Sequence, residues 1–157
     1  MSANLSALVV VVSDSVFQGA SEDRSGALLI ELLSVQGLRI EPLVMVPDEI
    51  DLIQASVREC SADVIVLTGG TGVSPRDNTP EAILPLIEKR LHGVEETIRS
   101  HGMKQTPNAM LSRTVVGTRG RQLILCLPGS PAAVKAAVEA VFPTVLHVFD
   151  VFDGKRH

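Results

Sequence analysis

Two aspartates and the small residues between them are where this chain could do chemistry. Asp48 stands in Val46-Pro47-Asp48-Glu49, and Asp77 in Arg76-Asp77-Asn78-Thr79-Pro80. Between them runs Thr68-Gly69-Gly70-Thr71-Gly72. Glycines let backbone N–H groups approach a phosphate, and a helix starting behind them adds a favourable dipole. Ser13-Asp14-Ser15 and Pro128-Gly129-Ser130-Pro131 add more hydroxyls, carboxylates and small residues. Together they offer what an anion or nucleotide site needs. Each piece also has a plainer reading. Asp48 could cap the helix that follows it. Residues 69–72 could be a strand-to-loop turn, and residues 128–131 a tight turn with Pro131 in the first position of a helix. Thr79-Pro80-Glu81 has the character of a helix start. Asp77 could be a turn residue. The functional reading rests on the combination.

The elements that must position these residues alternate along the chain. Residues 8–12 form a continuous apolar run, expected as a strand buried on both faces. Residues 26–35 carry an apolar helical face through Leu28, Leu29, Leu32 and Leu33, with Gly37 as the expected terminator. A second strand is expected over 39–46, a helix over 48–60 and a third strand over 62–68. A helix over 80–91, bent at Pro85, follows. Residues 93–111 are ambiguous and can begin with a short helix. Residues 114–117 and 122–127 read as a hairpin joined at 118–120. A last helix over 131–141 restarts at Pro143. Strands alternating with helices imply a single α/β domain over 1–157, with a mostly parallel sheet and an antiparallel edge hairpin. In such folds ligands bind beyond the carboxyl ends of the strands. Ser13, Asp48, Gly69 and Gly129 all fall at expected strand ends.

Composition removes several function classes. The chain has 157 residues, a net charge of −4, and neither Trp nor Tyr. A nucleic-acid surface wants a basic face, and base stacking wants aromatic platforms. No apolar run reaches the length of a membrane span, and the N-terminus lacks the basic flank and cleavage site of a signal peptide. Cys60 and Cys126 belong to no CxxC pair and read as reduced, buried thiols of a cytoplasmic protein. The four histidines show no ligand spacing. There is no GxxxxGK[ST] and no GxGxxG after the first strand, so a P-loop NTPase and a dinucleotide dehydrogenase are both disfavoured.

Thr68-Gly69-Gly70-Thr71-Gly72, Pro75-Arg76-Asp77-Asn78-Thr79-Pro80-Glu81-Ala82, Met110-Leu111-Ser112-Arg113 and Leu127-Pro128-Gly129-Ser130-Pro131 occur in this order. With Asp23-Arg24-Ser25-Gly26 and Val46-Pro47-Asp48-Glu49, the set resembles the molybdopterin adenylyltransferases, including the G domains of gephyrin and of the plant molybdenum-cofactor proteins. The resemblance covers nearly the whole chain. It implies a three-layer α/β/α sandwich, usually a homotrimer. It implies Mg2+-dependent transfer of AMP from ATP to the terminal phosphate of molybdopterin, with release of pyrophosphate, ahead of a molybdate-insertion protein. The family's two essential aspartates map onto Asp48 and Asp77, which would hold Mg2+. Carried over residue by residue, the binding set becomes Ser13, Asp14, Asp23, Gly69, Gly70, Thr71, Gly72, Arg76, Ser112, Arg113, Pro128, Gly129 and Ser130. Arg76 or Arg113 would balance phosphate charge, and Ser13 and Ser112 would donate hydrogen bonds.

Glu95 departs from the pattern, because the family often has glycine there. A carboxylate aimed into an anionic pocket would be unfavourable, so either Glu95 faces solvent or the local correspondence is shifted. Glu96 is therefore not assigned to the site. The alternative to an enzyme is a catalytically silent pterin-binding or assembly module of the same fold. The same domain could also serve inside a molybdate-insertion protein, which would need further domains. Retention of both aspartates favours the enzyme.

Overall fold

The computed structural model describes residues 4–156. Its strands are β1 (Ser6–Val12), β2 (Arg39–Ile40), β3 (Val44–Val46), β4 (Val64–Thr68), β5 (Lys89–Arg90), β6 (Val115–Arg119) and β7 (Gln122–Leu127). The helices are α1 (Asp14–Phe17), α2 (Ser25–Val35), α3 (Ile50–Arg58), α4 (Thr79–Ile83), α5 (His92–Met103), α6 (Pro131–Val141) and α7 (Val148–Phe152). The strands form one sheet in the order β2-β1-β4-β7-β6-β5, with β3 paired to β1 beyond β2. β1, β2, β3, β4 and β7 run parallel. β6 is antiparallel to both β7 and β5.

Every residue of β1 and of β4 is buried. Such runs of β-branched and aliphatic residues suit central parallel strands covered on both sides. The pleat divides them between two cores. On one face Val9, Val66 and Leu125 meet Leu29 and Leu33 of α2, Val134 and Val138 of α6, and Phe149 of α7. On the other, Val10, Ile65, Leu67 and Cys126 meet Ile53 and Val57 of α3 and Ile83 of α4. The result is the three-layer α/β/α sandwich expected. Among the described residues no single helix is long and apolar enough to cross a membrane. Cys60 and Cys126 are free thiols; Cys126 is buried as expected, but Cys60 is only half-buried.

The structure corrects several boundaries. The strand expected over 39–46 is two short strands flanking Pro42, which has no N–H for a ladder. The helix expected over 80–91 stops at Ile83. Pro85 lies in a 3₁₀ turn (Leu84–Leu86), because its ring clashes with a continuing α-helix. Lys89 and Arg90 are instead the edge strand β5. The hairpin β6–β7 is therefore not the edge, and the antiparallel part of the sheet has one more strand than expected. Residues 93–111 contain most of the 12-residue helix α5 and a 3₁₀ turn (Pro107–Leu111).

The reading of Glu95 as a solvent-facing group does not hold. Its side chain is 1% exposed. It accepts from Arg90 Nε at 2.9 Å and Nη2 at 3.0 Å, and from the Val116 amide at 3.0 Å. Glu95 is an internal fastener between α5, β5 and β6.

Candidate functional site

The parallel register places Val12, Val46, Thr68 and Leu127 side by side at one end of the sheet. The loops leaving these strand ends enclose a cleft of about 380 Å³. Of the expected residues, Ser13, Asp23, Asp48, Gly69, Gly70, Asp77 and Gly129 line it. Ser112, Pro128 and Ser130 line a second cavity of about 320 Å³ instead. Loop 128–130 is thus shared, with Gly129 facing one space and its neighbours the other. Asp14, Thr71, Gly72, Arg76 and Arg113 line neither. They build the walls.

The glycines answer to backbone crowding as well as to any ligand. Gly69 has φ +106, and a Cβ there would lie 2.2 Å from the Val12 carbonyl oxygen. Gly70 has φ +68, and its Cβ would lie 2.3 Å from Thr79 Oγ1. The Gly69 amide already donates to Leu127 O at 3.0 Å. The amides of Gly70 and Gly72 find no acceptor among the described residues. Of the two, Gly70 lines the cleft, and its amide is a donor left for an anion. Gly69→Ala is expected to cost at least about 1–3 kcal/mol from the positive φ alone, before the clash. Thermal unfolding checks this; a melting temperature equal to wild type refutes the crowding account.

Asp48 is not the cap of α3. That cap is Glu49, which makes no side-chain capping bond. Instead Asp14 and Asp48 exchange bonds across 34 residues. The Asp14 amide donates to Asp48 Oδ2 at 3.0 Å, and the Asp48 amide donates to Asp14 Oδ1 at 2.9 Å. Arg76 completes the lashing. Its Nε and Nη2 each reach Asp14 at 2.9 Å, and Nη2 also reaches Glu49 Oε1 at 2.9 Å. Arg76 thus commits its donors to carboxylates of the wall. Its hydrogen bonds, and then that of the Asp48 amide, hold the Asp14 carboxyl below the usual range. Asp48 is pushed the other way. Burial raises its pKa most, the Asp14 amide bond offsets part of that, and the charges of Asp14 and Asp77 raise it further.

A raised folded pKa stabilises the fold below the unfolded value near 3.9, and that contribution is lost as pH rises through the folded value. A cation needs the ionised form. Divalent-cation binding is therefore expected to fade on acidification at a pH above that of an ordinary aspartate. Titrating Mn2+ affinity against pH checks it; an acid limb at or below the ordinary value refutes it.

Asp77 stands at the end of an exposed loop. Its Oδ2 accepts from the Ser74 amide at 2.9 Å. Arg113 holds the loop from inside, donating to Gly72 O at 2.8 Å, Asp77 O at 2.9 Å and the Glu81 carboxylate. Its guanidinium faces the loop, not the cleft.

Among the described residues no three His, Cys, Asp or Glu side chains converge to hold a metal by themselves. Four carboxylates line the cleft, Glu22, Asp23, Asp48 and Asp77; Asp23 already accepts from the Gly26 and Ala27 amides, and Asp48 with Asp77 falls short of a full ligand set. That incomplete set fits Mg2+, which keeps waters and takes its remaining oxygens from phosphates.

The second cavity has a largely apolar wall, including Ile98, Ala109 and Ala136. Arg99, Gln105, Thr106 and Ser112 add polar groups. Ser112 Oγ is buried without a hydrogen-bond partner, and an orphaned hydroxyl facing a cavity is open to a ligand. Sequence reasoning missed Arg99, Gln105 and Thr106, which lie in the ambiguous 93–111 stretch. Their one signal was Thr106-Pro107, a cap and first-turn proline that does start the 3₁₀ turn.

Residues 8–147 match the family described as "probable molybdopterin binding domain". The chain is 40% identical, over 93% of its length and 86% of the relative's, to the molybdopterin adenylyltransferase of Helicobacter pylori J99. That relative is, by name, an enzyme. The chain is also 39% identical, over 95% of its length, to the molybdenum cofactor biosynthesis bifunctional protein of Chlorobaculum tepidum, of which it spans about half (49%). The crystal structure of the molybdopterin biosynthesis enzyme MoaB from Thermus thermophilus superposes with a TM-score of 0.89 at 37% identity, covering 96% of this chain and 98% of that one. The chain belongs to the molybdopterin-binding family of molybdenum cofactor biosynthesis.

Proposed function

We propose that this protein transfers AMP from ATP to the terminal phosphate of molybdopterin, with Mg2+, releasing pyrophosphate. The observation that carries the reading is a pair of cavities sharing one loop. The first is carboxylate- and glycine-lined, suited to a triphosphate with its cation. The second is largely apolar with a few polar groups, suited to a pterin. Two substrates meeting across loop 128–130 are what a group transfer between them requires. Relatives named molybdopterin adenylyltransferase supply the reaction type.

In this reading a phosphate oxygen of molybdopterin bonds to the α-phosphorus of ATP, and the bond from that phosphorus to the pyrophosphate oxygen breaks. The attacking oxygen is already ionised, so no general base is needed. Asp48 and Asp77 would hold Mg2+, which when bound neutralises charge on the triphosphate and the leaving pyrophosphate. The Gly70 amide, which lines the first cavity without an acceptor of its own, donates to a phosphate oxygen. Ser112 and Arg99 orient the pterin-bearing substrate from the second cavity. Asp14 and Arg76 keep Asp48 in place. A homotrimer, a cytoplasmic setting and hand-over to a molybdate-insertion protein belong to the same proposal.

The test is an adenylylation assay with purified protein, molybdopterin, ATP and Mg2+, following pyrophosphate and the adenylylated pterin. Mg2+-dependent product is expected. Tight pterin binding with no product from folded protein would replace this reading with the silent binding module.

A further inference from the structure

Loop 72–78 carries Asp77 yet has little of its own to hold it. Residues 73–76 are exposed, and the segment forms no helix or strand. Its internal bonds, Asp77 N to Ser74 O at 3.0 Å and Ser74 N to Asp77 Oδ2 at 2.9 Å, tie the loop only to itself. From the strand side, one residue of the protein body reaches both of its ends. The Arg113 amide donates to Thr71 O at 2.8 Å, just before the loop. Its Nε donates to Gly72 O at 2.8 Å, at the loop's first residue, and its Nη2 to Asp77 O at 2.9 Å. Its Nη1 pairs with Glu81, in the first turn of α4 just after the loop.

We propose that Arg113 is the positioning residue of Asp77, closing the loop like a buckle so that the carboxylate stands at a fixed point of the cleft. The inference rests on the adenylyl-transfer reading for what Asp77 does there. Three physical points carry it. A loop carbonyl without a ladder partner needs a donor, and Gly72 and Asp77 both take theirs from this guanidinium. The planar fork offers five N–H donors in fixed geometry, so it sets direction as well as distance. The fork also has a firm base, because Arg113 lies just ahead of β6, which is paired on both sides. Arg76, the loop's other tie, holds it from the solvent side to Asp14 and Glu49. It bonds neither the Asp77 carbonyl nor the first residue of the loop.

A side chain that places a metal-binding carboxylate changes affinity or activity by about 10–100-fold when lost. A lysine brings one point charge and cannot span Gly72, Asp77 and Glu81 together. Arg113→Gln, Arg113→Lys, Asp77→Asn and the double variant Arg113→Gln/Asp77→Asn are compared by Mn2+ titration with a non-hydrolysable ATP analogue, read by electron paramagnetic resonance. Metal-free hydrogen exchange reports on the Ser74 and Asp77 amides. The expected result for Arg113→Gln is about 10–100-fold weaker Mn2+ binding, faster exchange at both amides, and unchanged pterin affinity. Arg113→Lys should fall between it and wild type, which also serves if the glutamine variant folds poorly. In the Asp77→Asn background the Arg113 change should add nothing further. Additive losses in the double variant, or wild-type Mn2+ affinity in Arg113→Gln, would overturn the proposal. Failure of the wild-type protein to bind Mn2+ with the analogue would overturn the adenylyl-transfer reading, and this inference with it.

Discussion

Replacing Asp77 by asparagine is expected to lower adenylyl transfer by about 10²–10³-fold, the scale of losing one preorganised electrostatic group, and to leave molybdopterin binding in place. The amide keeps the size of the side chain and can still accept from the Ser74 amide, so the loop keeps its internal bond. What disappears is the negative charge. Asp48→Asn is expected to behave in the same way, because its amide oxygen can still accept from the Asp14 N–H. The two carboxylates lie within reach of each other's charge, so each loss weakens the pair that would hold the cation. Steady-state turnover together with pterin binding checks both variants. A loss of pterin binding as large as the loss of turnover would contradict a metal-centred role and put the aspartates against the pterin itself.

Glu95→Ala has the largest expected effect on stability. β5 is only two residues long, so it cannot cover the outer side of β6. The Glu95 carboxylate takes the place of the missing strand at the Val116 amide. It also receives a two-pronged bond from Arg90, with Arg99 Nη2 4.0 Å away. Removing one partner of a buried pair costs about 3–5 kcal/mol. Arg90 is 38% exposed and can return to water, which argues for the lower end. The amide of Val116 cannot do so and is left buried and unpaired. At about 2–4 °C per kcal/mol for a domain of this size, the melting temperature should fall by roughly 6–12 °C for a loss near 3 kcal/mol. Thermal unfolding by circular dichroism measures it. A variant melting with wild type would show that the pair contributes nothing net. Glu95→Gln, which keeps one acceptor oxygen for Val116 and Arg90 Nε but loses the one facing Arg90 Nη2, should lie between the two.

These two residues show unequal legibility. Asp77 announced itself in sequence, between an arginine and an asparagine in a loop following a strand. Glu95 looked like a misfit, and its meaning emerged only when α5 was seen packed on β6. The same division runs through the elements. β1, β4 and β7 are legible because strands covered on both faces must be continuous apolar runs. β5 is not, because Lys89 and Arg90 are exposed and polar, and only pairing with β6 makes them a strand. α5 was ambiguous because its exposed face is charged and only Glu95 and Ile98 are buried.

By itself, then, the sequence determined the α/β alternation, the family, and the placing of carboxylates and glycines at strand ends. Those follow from local periodicity and from the rule that parallel strands end on one side. Only the tertiary structure decided which of those residues face a ligand space. It split the expected set between two cavities, turned Arg76 and Arg113 into the walls, bound Asp14 to Asp48 and left Ser112 Oγ without a partner. Those outcomes depend on the directions of side chains brought together from distant segments, and neither residue type nor spacing carries that information.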